Sequence, residues 1–118
     1  KDGIHTLVGS SGVRLSGGQQ ARIALARALF HHAGVLILDD PFASVDRRTE
    51  FNIYRNLREH YSGCILFIIS HRLDLFDQFD RIFLMHADGS IETGTPEAMK
   101  QEEEYGTLYA LQEAEAHE

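Results

Sequence analysis

The chain has 118 residues, a formal net charge of −7 and a hydrophobic share of 43%. This length fits one domain or a piece of one, and the apolar share argues against wholesale disorder. Its Lys and Arg residues form no dense run, so no nucleic-acid partner is expected. No apolar stretch approaches the ~20 residues of a membrane helix, so any membrane connection must lie in other sequence.

The first part of the chain predicts a loop, a helix and a strand. Residues 1–14 are rich in Gly and Ser, which is typical of a loop. Ser16 is a good N-cap for a helix expected over about residues 17–31, where apolar residues recur at helical spacing. The apolar run from residue 35 to 38 predicts a strand that is buried on both faces.

A helix is expected next over residues 47–60, followed by a second wholly apolar strand over residues 64–69. A short helix over residues 74–79 and a strand over residues 81–86 continue the alternation. Strands that alternate with helices favour an α/β fold with a parallel sheet. In such a fold the functional loops lie at the carboxyl ends of the strands.

The last third of the chain carries turn and cap signals. Asp88-Gly89 is typical of the turn of a hairpin, which would return through residues 91–93. Thr95-Pro96-Glu97 predicts a helix start, with an N-cap, a proline in the first position and an acidic residue near the positive end of the dipole. A helical pattern then continues to the tail and is expected to be interrupted at Gly106.

The segment Leu15-Ser16-Gly17-Gly18-Gln19 stands where the first helix is expected to begin. Free backbone N–H groups and the dipole at a helix N-terminus favour an anion such as phosphate, and glycines let the main chain approach it closely. An ordinary capped helix with a glycine-rich entrance explains the local pattern equally well.

Polar residues follow both apolar strands. Asp39 and Asp40 end the first, and paired carboxylates there are costly unless they meet a cation or bound water. Ser44-Val45-Asp46 follows in the next loop, and Ser70-His71-Arg72 comes directly after the second strand. His71 lies on the ligand-binding edge expected of a parallel sheet, whereas the other six histidines are interpreted as surface or core residues.

Taken in order, these motifs resemble those of the ATP-binding cassette (ABC) family: the signature motif at 15–19, the Walker B strand, the D-loop at 44–46 and the switch histidine. The resemblance covers nearly the whole chain and implies that residues 1–118 are the C-terminal part of one ABC nucleotide-binding domain. The implied fold is a partial parallel-sheet P-loop NTPase, with a signature-helix subdomain and a C-terminal hairpin plus helices. Residues 6–12 also resemble, more loosely, the segment that faces the coupling helices in exporters.

The resemblance implies a role for each motif residue. Asp39 would hold Mg²⁺, Asp40 would orient the attacking water as general base, and His71 would contact the γ-phosphate of ATP. Asp46 would cross a dimer interface. The ATP held by a second nucleotide-binding domain would be bound by the signature residues Leu15, Ser16, Gly17, Gly18 and Gln19.

Two features depart from the family pattern. The 118 residues contain no Gly-x-x-x-x-Gly-Lys-Ser/Thr P-loop, so this chain alone is expected neither to bind MgATP tightly nor to hydrolyse it. Asp40 stands where the family has Glu, which sets its carboxylate back by roughly 1 Å, and displacements of that size can cost ~10²-fold in rate. This substitution resembles the degenerate-site subunit of heterodimeric exporters, and a heterodimer is therefore favoured over a homodimer.

The function implied is ATP binding and hydrolysis coupled to export, at the cytoplasmic face of the cell membrane, with the transmembrane domains of a transporter as partners. The alternative is a soluble ABC-type ATPase of DNA repair, chromosome organisation or translation. Those proteins commonly carry coiled-coil arms or basic surfaces, which this sequence does not show. For the isolated chain, a stable structural fragment without activity is a third interpretation.

Overall fold

A computed structural model describes residues 2–31 and 33–116 of the chain. The chain divides into two compact units, with the boundary between Ser70 and His71. Within the described residues, no helix is both long and apolar enough to cross a membrane.

The first unit contains two helices and two strands in the predicted alternating order. They are α1 (Gly17–Phe30), β1 (Val35–Asp39), α2 (Arg47–His60) and β2 (Ile65–Ile69). The two strands are parallel, with Val35 opposite Ile65 and Asp39 opposite Ile69. The predicted α/β organisation is therefore confirmed, and the carboxyl ends of both strands meet at one edge of the sheet.

The prediction that β1 is buried on both faces is wrong. Leu38 is buried, whereas Ile37, its neighbour on β1, is 65% exposed. Successive side chains of a strand point to opposite faces, and within the described residues only one face of the sheet is covered. The uncovered apolar face consists of Val35, Ile37, Ile65, Phe67 and Ile69.

The second unit contains a hairpin and two helices. A short helix was expected over residues 74–79, and a 3-10 helix is found at Leu73–Gln78. It leads into β3 (Ile82–Met85) and β4 (Ile91–Gly94). The strands are antiparallel, as predicted for a hairpin. At its turn the Asp88 carboxylate accepts a hydrogen bond from the Ser90 N–H at 2.9 Å, and Gly89 has a φ of +86°.

Helices α3 (Pro96–Met99) and α4 (Glu103–Ala116) follow the hairpin. Thr95 is the N-cap of α3, as predicted, because its hydroxyl accepts a hydrogen bond from the Ala98 N–H at 3.3 Å. The expected interruption at Gly106 is wrong, since α4 continues through that residue. The glycine instead allows close packing, because a Cβ there would lie 2.5 Å from the carbonyl oxygen of Lys100.

The core of the second unit joins the hairpin to both helices. Ile82, Met99 and Tyr105 are its buried members. Partly buried side chains from the 3-10 helix, β3 and α4 pack against them: Leu73, Phe76, Leu84 and Tyr109.

The uncovered face of β1 and β2 predicts self-association of the 118-residue chain when it is produced by itself. Burial of side chains of this size contributes roughly 1.5–3 kcal/mol each, so pairing of two such faces is favourable. Ile37→Glu is expected to shift the chain towards monomer in sedimentation velocity measured over a range of concentrations. Ser62→Glu adds the same charge in an exposed turn and should leave association unchanged. A wild-type chain that stays monomeric at high concentration would contradict the prediction.

Candidate functional site

Ser16 organises the N-terminus of α1, as predicted. Its hydroxyl accepts a hydrogen bond from the backbone N–H of Gln19 at 3.2 Å, and the Gln19 side-chain oxygen accepts one from the Ser16 N–H at 2.9 Å. This reciprocal capping box holds both side chains against the main chain. The N–H groups of Gly17 and Gly18 belong to the first helical turn and have no acceptor within the helix. They are the groups that an anion at this end of α1 would meet.

The two glycines lie against the loop that connects β1 to α2. A Cβ at Gly17 would come within 2.9 Å of the Ser44 hydroxyl oxygen, and one at Gly18 within 3.0 Å of the Ser44 carbonyl oxygen. A side chain at either position would require Ser44 to shift. The structure therefore brings the segment at 15–19 into contact with the segment at 44–46, although the sequence separates them by a helix and a strand.

Leu15 has a different environment from the four residues that follow it. It is partly buried, and its carbonyl accepts a hydrogen bond from the Gln20 side chain at 3.1 Å. Leu15 therefore contacts other residues of this chain.

Asp46 is the N-cap of α2. Its carboxylate accepts a hydrogen bond from the backbone N–H of Thr49 at 3.0 Å. Hydrogen bonds from the side chain and then the backbone of Thr49 hold the pKa of Asp46 below its ordinary value. The residue is exposed, so an ionised carboxylate lies on the surface beside the loop that carries Ser44.

Asp39 and Asp40 lie at the carboxyl edge of the sheet, and both are exposed. The Asp40 N–H donates a hydrogen bond to the Ile69 carbonyl at 2.8 Å, which ties this turn to the end of β2. Asp40 has a φ of +42°, in the left-handed region that most residues avoid. Asp tolerates this region better than most residues do, because its short polar side chain bonds locally. No sequence pattern predicted the left-handed backbone at Asp40.

His71 begins the second unit, and it is exposed. Its carbonyl accepts a hydrogen bond from the Gln112 side-chain amide at 2.7 Å. The oxygen of the same amide accepts a hydrogen bond from the Leu73 N–H at 2.6 Å. Sequence reasoning missed Gln112, because a glutamine on a distant helix carries no local mark of such a contact.

Among the residues that the structure describes, no three His, Cys, Asp or Glu side chains are grouped so as to hold a metal ion. Mg²⁺ in nucleotide sites is usually bound by one or two carboxylates together with waters and phosphate oxygens. The exposed carboxylate of Asp39 fits this kind of donor set.

Comparisons with known proteins agree with the motifs. A family model described as ABC transporter matches residues 1–43, which include the signature segment and Asp39-Asp40. The probable multidrug resistance ABC transporter ATP-binding/permease protein YheI of Bacillus subtilis is 45% identical over 93 residues, covering 79% of this chain and 16% of that protein. The ATP-dependent lipid A-core flippase of Chromohalobacter salexigens is 40% identical over 116 residues, covering 98% of this chain and 20% of that protein. The chain belongs to the ABC transporter family.

A solved structure of a bacterial Atm1-family ABC exporter with ATP bound has the same fold. It superposes with a TM-score of 0.77 and 29% identity, over 83% of this chain and 18% of that one. The partial ABC ATPase fold is thereby confirmed. This ABC chain spans between 16% and 20% of the length of the relatives named here.

The left-handed backbone of Asp40 predicts how the 118-residue chain responds to substitution. Asp40→Gly should retain stability, whereas Asp40→Val should lower the free energy of unfolding by roughly 1–3 kcal/mol, because a β-branched residue is strained at positive φ. Asp39→Val is the control, since valine suits the regular strand conformation of that exposed position. Urea unfolding measures all three variants. Equal losses for Asp39→Val and Asp40→Val would contradict the assignment of strain to Asp40.

Proposed function

We propose that this chain is the C-terminal part of a nucleotide-binding domain that binds and hydrolyses ATP to drive transmembrane export. The observation that carries the proposal is the N-terminus of α1, where a capping box and two side-chain-free residues present backbone N–H groups beside Ser44. A helix N-terminus of this kind favours phosphate. The names of the relatives, a multidrug transporter and a lipid A-core flippase, support export over a soluble ABC ATPase.

The signature residues would serve ATP bound to a second nucleotide-binding domain. The 118 residues contain no P-loop, so the segment that cradles the phosphates would have to lie outside them. Gly17 and Gly18 share one surface with the loop at 44–46, which ends in the exposed Asp46 carboxylate. Such a surface suits contact with a partner domain, so the complete site would be composite.

Three further residues would complete the chemistry. Asp39 would hold Mg²⁺ through water, and the ion when bound would neutralise charge on the phosphates. Asp40 would orient the attacking water, and His71 would contact the γ-phosphate. Each of these side chains is exposed.

Asp40 supports a site with slow turnover. Its side chain is one methylene shorter than that of Glu, and its backbone is left-handed, with the N–H bonded to the Ile69 carbonyl. Displacement of a general base lowers the catalytic rate more than it lowers the affinity for nucleotide. We therefore favour a heterodimer, in which this domain donates its signature segment to a more active partner site. The dimer would act at the cytoplasmic face of the membrane, joined to transmembrane domains.

A matched pair of substitutions at Ser16 tests the proposal in the full-length transporter. Ser16→Asn and Ser16→Asp both preserve the N-cap, because Asn, Asp and Ser cap helices about equally well. They have nearly the same shape and differ by one negative charge. If the N-terminus of α1 contacts a phosphate, Ser16→Asp should lower ATP hydrolysis at least about tenfold more than Ser16→Asn, since ~1.4 kcal/mol of charge repulsion suffices for that ratio.

If Ser16 serves only as a structural N-cap, the ATP hydrolysis rates of the two variants should rank in the opposite order. A negative charge at a helix N-terminus is stabilising, so Ser16→Asp would then be the milder of the two substitutions. Steady-state ATPase rates with purified transporter measure the ratio, and thermal unfolding shows that both variants are folded. Equal rates, or a faster Ser16→Asp variant, would rule out phosphate contact at this position.

A further inference from the structure

The side chain of Gln112 bridges the main chain on either side of Arg72. Its amide nitrogen donates to the His71 carbonyl at 2.7 Å, and its oxygen accepts from the Leu73 N–H at 2.6 Å. Residues 70–72 lie outside helices and strands, so their backbone groups have no ladder to join. One side chain on α4 therefore provides both a donor and an acceptor to the segment that carries His71.

The part of α4 that carries Gln112 is fastened to the 3-10 helix. Tyr109, one turn earlier on the same face, donates its hydroxyl to the Asp77 carboxylate at 2.6 Å. The Lys100 ammonium lies 2.8 Å from the other Asp77 oxygen and 4.0 Å from the centre of the Tyr109 ring. Hydrogen bonding to Asp77 holds the pKa of Lys100 above its ordinary value. These contacts give α4 a defined position relative to residues 73–78.

We propose that Gln112 is a positioning residue for His71, so that the placement of the C-terminal helix sets where the histidine is presented to nucleotide. The inference rests on the proposed role of His71 at the γ-phosphate. The bonds go to the backbone at His71 and Leu73, and so they fix the segment while leaving the histidine exposed. A displacement of α4 would therefore shift the backbone that carries the histidine.

Gln112→Glu removes the hydrogen bond to the His71 carbonyl and keeps the hydrogen bond from the Leu73 N–H. The variant has the same shape and keeps an oxygen that accepts from Leu73, but it places a second oxygen against the His71 carbonyl. Gln112→Leu removes both bonds. Gln101→Glu makes the same change of residue and charge at an exposed position of the same unit and is the matched control. His71→Ala measures the full loss of the histidine.

The experiment is steady-state ATP hydrolysis by the full-length transporter with the general base of the partner domain removed, so that the remaining turnover comes from the site that holds His71. Gln112→Glu should lower kcat about tenfold, within the range expected for a displacement near 1 Å, and leave KM for ATP and the unfolding temperature unchanged. Gln112→Leu should lower kcat at least as much. In hydrogen exchange, the Leu73 amide should lose its protection in Gln112→Leu and keep it in Gln112→Glu. Gln101→Glu should behave as wild type.

Three results would overturn the inference, and they are distinguishable. If His71→Ala abolishes hydrolysis while Gln112→Glu retains the wild-type kcat, Gln112 does not position the histidine, and the proposed function stands. If His71→Ala retains hydrolysis, the proposed role of His71 falls and the inference falls with it. If Gln112→Glu changes kcat and KM together and lowers the unfolding temperature, the residue is only structural.

Discussion

The close approach of α1 to the loop at Ser44 is the contact on which the candidate site depends. Gly17 and Gly18 leave room for this approach, and a Cβ at either position would lie about 3.0 Å or less from an atom of Ser44. The capping box between Ser16 and Gln19 then fixes the first turn of the helix beside the loop. Two segments that are separate in sequence thereby form one surface of backbone donors and small side chains.

Local signals predicted much of the fold. The bounds of α2 were predicted to the residue, and the caps at Ser16 and Thr95 and the hairpin turn at Asp88-Gly89 are as expected, because each depends on neighbours within a few residues. Two-sided burial of β1 could not be judged from local signals. An apolar strand has the same composition whether its second face is covered by this chain, by other sequence or by nothing.

The candidate site was likewise predicted only where local sequence carries the information. The motif residues were identified by their order and spacing, and their roles came from resemblance to a family. The left-handed backbone at Asp40 and the two bonds made by Gln112 depend on contacts with Ile69, His71 and Leu73 that no local pattern encodes. Gly106 is an example of a misleading local signal. A glycine suggests a helix break, but here it allows a close approach to the carbonyl oxygen of Lys100.

The central claim is that the N-terminus of α1 meets the γ-phosphate of ATP bound to a second domain. A photoreactive ATP analogue, labelled at the γ-phosphate, tests it in transporter dimers with one P-loop disabled at a time. We expect labelling of the peptide that contains residues 15–19 to survive loss of the P-loop on its own domain and to vanish with loss of the partner's. Labelling that depends on the P-loop of its own domain would contradict the account.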